Sequence, residues 1–172
     1  WEPPPRTPIR DVFSGPFTLA YVAFLASFTV LLVEAENGQW WVFALVVIVV
    51  SVDVGAYAAG VTLGKHKMTP RISPNKTWEG FAGAAIVAMA VGTVVAIFAL
   101  DQPWWVGIIL GVVVLFTATG GDLTESLIKR NLGVKDMSSW IPGHGGFLDR
   151  LDSLLPSAVG VYGVALVLGA VS

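Results

Sequence analysis

The sequence predicts an all-α fold, a polytopic integral membrane bundle with five transmembrane helices in one domain over residues 1–172. Three observations carry that reading. Hydrophobic residues make up 55% of the chain and charged residues only 13%, which leaves too little polar surface for a soluble domain. Five apolar stretches, 17–33, 40–62, 80–100, 104–120 and 154–171, approach the roughly 20 residues needed to cross about 30 Å of hydrocarbon. The polar segments between them are sorted by charge. The only charges in segments 34–39 and 101–103 are negative, whereas every Lys and Arg falls in 1–16, 63–79 or 121–153.

Trp1 to Pro8 is proline-rich and lacks the basic-then-apolar order of a signal peptide, so the chain is expected to be a piece of a longer one. The short connections 34–39 and 101–103 make antiparallel hairpins of spans one and two and of spans three and four. Because positive charge collects on the cytoplasmic side, the N-terminus and the loops 63–79 and 121–153 are expected in the cytoplasm and the C-terminus outside. Trp40-Trp41 and Trp104-Trp105 then fall at the outer ends of spans, where their rings would anchor in the headgroup layer. Gly107 and Gly111 form a small-xxx-small spacing, expected to serve packing within the chain. The absence of cysteine excludes disulfides, Cys-ligated zinc and thiol nucleophiles.

The polar residues that remain need a reason. Asp53 lies inside the second stretch with Tyr57 and Gly60 along one helical face. An ionisable group at that depth is costly, so it should line a polar cavity or serve as a hydrogen-bonded structural group. In the loop 63–79, Pro70 and Pro74 preclude a continuous helix. Ser73, Asn75, Lys76 and Thr77 then offer donors just before a helix N-terminus near Trp78, an arrangement suited to phosphate.

The segment 121–153 is the richest in chemistry. If the fourth helix continues past Gly120-Gly121, Asp122, Ser126 and Lys129 share a face. Asp149 and Asp152 share a face leading into span five. Three carboxylates converging at a membrane surface suit a hard cation, most naturally Mg²⁺. Lys129, Arg130, Lys135 and Arg150 suit a polyphosphate or an anionic lipid head. The run Pro142 to Gly146 supplies a glycine turn whose backbone can approach a ligand closely. Each charge alone fits a solvated loop; the combination fits a site.

This segment resembles the signature of the phosphatidate cytidylyltransferase family. The matching positions are Ser126, Lys129-Arg130, Lys135-Asp136, Ser138, Pro142, His144-Gly145-Gly146 and Asp149-Arg150-Leu151-Asp152. Upstream, Asp53 to Tyr57, Ile72 to Gly80, and Gly121-Asp122 with Glu125 also look like family segments, so the resemblance covers about residues 53–152. Family members usually carry additional N-terminal spans, which makes this chain the expected C-terminal catalytic part, with 63–79 and 121–153 as its active-site loops.

The resemblance implies transfer of CMP from CTP to phosphatidic acid, giving CDP-diacylglycerol and pyrophosphate. It implies Mg²⁺ on Asp122, Asp149 and Asp152, with room for a second cation, and catalytic roles for those residues with Lys129 and Arg130. Ser73, Lys76, Thr77, Ser126, Lys135, Asp136, His144, Gly145, Gly146 and Arg150 are the expected substrate-binding residues. The implied partners are CTP, phosphatidic acid, the lipid bilayer and a second copy in a homodimer, with no nucleic acid. The implied location is a bacterial inner membrane, with the site facing the cytoplasm. The nearest rival is a CTP-dependent lipid-alcohol kinase, which would release CDP. A CDP-alcohol phosphatidyltransferase would need an Asp-Gly-x-x-Ala-Arg run that this sequence lacks. A transporter would explain Asp53 but not the signature.

Overall fold

The computed structural model describes residues 8–35, 37–70, 73–132 and 153–171, with the side chains of the first helix described from Tyr21 and those of the fourth to Leu127. In chain order the elements are α1 (Pro8–Glu34), α2 (Gly38–Leu63), β1 (Lys67–Thr69), β2 (Ser73–Thr77), α3 (Trp78–Phe98), α4 (Trp104–Leu132) and α5 (Leu154–Val167). The protein is mainly helical, as expected. Among the described residues three of the five expected spans are long and apolar enough to cross a membrane, α2, α3 and the stretch Trp104–Leu127 of α4; Tyr21–Glu34, the part of α1 with described side chains, and Leu154–Val167 are shorter apolar helices.

The shortness of α5 has a local cause. Gly169 takes a left-handed φ of 71°. Its N–H donates to the Leu166 carbonyl, and the Ala170 N–H to that of Ala165, which turns the chain off the helix before the apolar run is finished. A correction concerns the expected loop 63–79, which is neither helix nor plain loop. There β1 and β2 pair antiparallel, with Lys67 opposite Thr77 and Thr69 opposite Ser73. Pro70 lies between the strands, at the turn, where a missing N–H costs no ladder bond.

The helices close into a ring: α2 packs on α3, α3 on α4, α4 on α5, and α5 on α1, while α2 also touches α1, α4 and α5. Its buried face, Trp41, Leu45, Ile48 and Val52, recurs at three- and four-residue intervals, as a helical stripe must. Facing helices contribute Ala84 and Ala88, Val106, Leu110 and Val114, and Ala158, Val161 and Ala165. Since lipid tails are as apolar as leucine, close backbone approach decides which faces meet. Gly92 and Gly107 show it most clearly, because a Cβ on Gly107 would collide with the Gly92 carbonyl and the Thr93 Cα. Gly111 of α4 likewise packs on Ala88 of α3, so the Gly107/Gly111 spacing serves packing within the chain. Trp40, Trp104 and Trp105 are exposed, as anchoring rings should be. Trp41 is buried in the core, so the pair Trp40-Trp41 divides between the two environments.

Candidate active site

At the end of the bundle where α2 finishes and α3 begins, a cleft of about 320 Å³ opens between α2, the hairpin, α3 and α4. Each wall has a sequence reason. From α2 come Asp53 and Tyr57, one turn apart on one face and both exposed. The hairpin contributes Met68, Ser73, Asn75, Lys76 and Thr77. Thr77 is also the N-cap of α3, its Oγ1 accepting from the Gly80 N–H at 3.1 Å. That cap anchors β2 to a helix start, with Glu79 in the first turn as the helix dipole favours. α4 brings Thr119 and Asp122, and Ser153 closes the rim just ahead of α5.

The condition that the fourth helix continue past Gly120-Gly121 is met, for α4 runs to Leu132, so the expected loop 121–153 begins as helix. Asp122 is thereby carried on a rigid element into the cleft, where it accepts the Lys76 ammonium, Nζ to Oδ2 2.5 Å. Both side chains keep part of their surface in solvent, 24% for Lys76 and 37% for Asp122. Such a pair is worth at most about 1 kcal/mol to stability, and either member can exchange its partner for a charged ligand at little expense. Ser126 is half-buried one turn beyond Asp122, and Glu125 is buried.

Of the residues expected from sequence, the structure brings Ser73, Lys76, Thr77 and Asp122 to one cleft. Asp149, Asp152, Lys135, Asp136, His144, Gly145, Gly146 and Arg150 lie outside the described residues, as do the side chains of Lys129 and Arg130. Among the described residues no three His, Cys, Asp or Glu side chains gather at a metal-binding distance. The Asp122 and Asp53 carboxylates and the hydroxyls of Thr119 and Ser153 offer oxygen ligands at the cleft. That set fits a hard cation such as Mg²⁺.

Sequence reasoning gave no role to His66 and Glu79. The His66 N–H donates to both Glu79 carboxylate oxygens, at 3.2 and 3.3 Å, and its Nδ1 lies 2.6 Å from Oε1. The two residues meet only because the hairpin folds them together, and no local pattern announces that. Asp53 and Tyr57 were legible as a polar helical face; that the strand pair and α4 would stand opposite them was not.

The chain matches the model of the cytidylyltransferase family over residues 3–168. It is 46% identical over 160 residues to a phosphatidate cytidylyltransferase of Mycobacterium tuberculosis, covering 93% of this chain and 49% of that protein. The corresponding protein of Mycobacterium leprae is 48% identical over 157 residues, 91% of this chain and 50% of the relative. That of Bacillus subtilis is 44% identical over 124 residues, 70% and 45%. The chain thus spans about half the length of the curated relatives it matches.

Proposed function

The chain belongs to the cytidylyltransferase family, and from that premise we propose that it carries the catalytic site of a phosphatidate cytidylyltransferase. In this reading a phosphatidate phosphate oxygen attacks the α-phosphorus of CTP. The bond from that phosphorus to the oxygen bridging to the β-phosphate breaks, pyrophosphate leaves, and CDP-diacylglycerol remains. The observation that carries the reading is the cleft in which Lys76 of the hairpin faces Asp122 of α4, beneath the donors Ser73, Asn75 and Thr77.

The reaction asks for little covalent help. The nucleophile is already an anion, so positioning and charge neutralisation dominate. Lys76 neutralises one phosphate of CTP, and Ser73, Asn75 and Thr77 orient the triphosphate through their hydroxyl and amide groups. Asp122, with Asp149 and Asp152, would hold Mg²⁺, which when bound supplies charge neutralisation at the leaving pyrophosphate. Lys129, Arg130, Lys135 and Arg150 serve the remaining phosphates of nucleotide and lipid, Ser126 and Asp136 support them, and His144 with Gly145 and Gly146 holds a phosphate oxygen at the turn. Asp53 and Tyr57 form the wall through which the lipid head enters from the bilayer.

The membrane arrangement follows from charge. α1 and α5 complete a five-span bundle in a bacterial inner membrane, with the cleft toward the cytoplasm where every Lys and Arg is collected. The family resemblance supports a homodimer there. The deciding experiment uses the full chain in detergent with phosphatidic acid, Mg²⁺ and CTP labelled at either the α- or the γ-phosphate. Chloroform-soluble label from α-labelled CTP, with pyrophosphate released, is the expected result. Lipid label from γ-labelled CTP instead would replace this reading with a lipid kinase.

A further inference from the structure

We infer that His66 and Glu79 are positioning residues for the nucleotide half of the reaction: their contact clasps the base of the β1–β2 hairpin and so sets where Lys76 stands over the cleft. The inference rests on the reading of that cleft as the CTP site. β2 leads directly into α3, so its far end is fixed by the Thr77 cap. β1 has no such anchor, because it enters from α2 through the exposed residues Gly64 and Lys65. What ties β1 down is His66. Its carbonyl accepts from the Trp78 N–H at 3.0 Å, while its own N–H and its ring nitrogen both reach the Glu79 carboxylate. A carboxylate only accepts, so Nδ1 carries the proton in this contact. One residue ahead of the strand pair Lys67–Thr77 is therefore locked to the two residues that follow it.

Two features separate positioning from structure or catalysis. His66 is 78% exposed and is not among the described residues that line the cleft, which sets it apart from the side chains read as nucleotide contacts. A contact made by so exposed a ring adds little to global stability. Three hydrogen bonds spent on one carboxylate at the foot of the strand that carries Lys76 have their effect on where that strand lies.

The test is steady-state kinetics of the full chain in lipid nanodiscs with Mg²⁺, varying CTP and phosphatidic acid separately. His66→Ala and Glu79→Ala should each raise the KM for CTP about three- to fivefold, the effect of losing a partly exposed charged contact. The KM for phosphatidic acid and kcat should stay within roughly twofold, since the change acts through one contact to one substrate. His66→Asn, whose amide nitrogen replaces Nδ1, should restore the wild-type KM. In a Lys76→Met background neither alanine change should raise the KM for CTP further, because residues that act through one group are not additive. A fall in kcat with both KM values unchanged would mean lost folded enzyme and would overturn the inference. So would an undiminished effect in the Lys76→Met background. Hydrogen exchange of residues 67–77 gives a readout that needs no turnover, and Glu79→Ala should speed it. Faster exchange in a chain whose wild type neither binds nor turns over CTP would overturn the reading of the cleft while leaving the clasp intact. Unchanged exchange in an active enzyme would overturn the clasp alone.

Discussion

The two ends of the α3–α4 pair are built on opposite terms. Near the 99–103 connection the helices meet backbone to backbone, Gly92 on Gly107 and Ala88 on Gly111, and nothing larger fits. Toward the other end the same helices meet through rings, Phe81 and Phe116 edge to face with centroids 5.8 Å apart. Phe81 is already a wall of the cleft. Small residues thus close the bundle at one end, and bulky or polar ones stand in for them at the other, leaving room for a ligand. Stability and function are sorted along a single helix pair. In a membrane, where burial against lipid drives little, that sorting has to be done by shape.

Substitutions at the two ends should therefore fail differently. The largest effect belongs to the cleft. Asp122→Asn should lower kcat by roughly 10²–10³-fold, the range for losing one preorganised electrostatic group, without lowering the melting temperature in detergent. A matching loss of thermal stability would break the division between the ends. Lys76→Met should follow, raising the KM for CTP by roughly tenfold or more as a charge-assisted contact to phosphate is lost. Titration of both substrates checks it, because an equal rise for phosphatidic acid would place Lys76 between the two.

How far sequence reached differs between the same two ends. The helices were legible as apolar runs, and Asp122 was legible because helical periodicity past Gly120-Gly121 needs only that the helix continue, which α4 does. Gly107 and Gly111 advertised close packing, though not the partner Gly92, which a separate helix supplies. The hairpin was hidden. Proline breaks a helix wherever it stands, but strand pairing across Pro70 depends on register, and register here is set by contacts such as His66 with Glu79. Trp41 misled because two adjacent tryptophans at a span end look alike in sequence, while successive residues of a helix point about 100° apart. One therefore enters the core as the other leaves it. The early end of α5 was encoded in Gly169, which hydropathy reads as one more neutral residue.

At the closed end, Gly107→Ala should cost about 1–3 kcal/mol of stability, the usual penalty for overpacking, as α3 and α4 are pushed apart. Thermal unfolding followed by gel filtration in detergent should show it, with the KM for CTP unchanged in the fraction that stays folded. A raised KM would mean that the two ends are coupled through the helix pair.

The smallest effect is expected between α4 and α5. Ser157 is fully buried, its hydroxyl donating to the Ser153 carbonyl at 2.7 Å and accepting from Thr117 Oγ1 at 3.0 Å. Ser157→Ala removes the cross-helix bond, and the single Thr117 O–H then has the Val113 carbonyl, 2.9 Å away, as its acceptor, so no donor is stranded. A polar contact between membrane helices is worth only about 0.6 kcal/mol on average, because alternative partners are found nearby. The expected outcome is a small shift in unfolding midpoint with unchanged kinetics. Ser153, whose carbonyl receives the Ser157 bond, also lines the cleft. A change in kcat larger than the change in stability would therefore show that this hydroxyl holds the rim in place, and the border between the two ends would have to be drawn one turn further into α5.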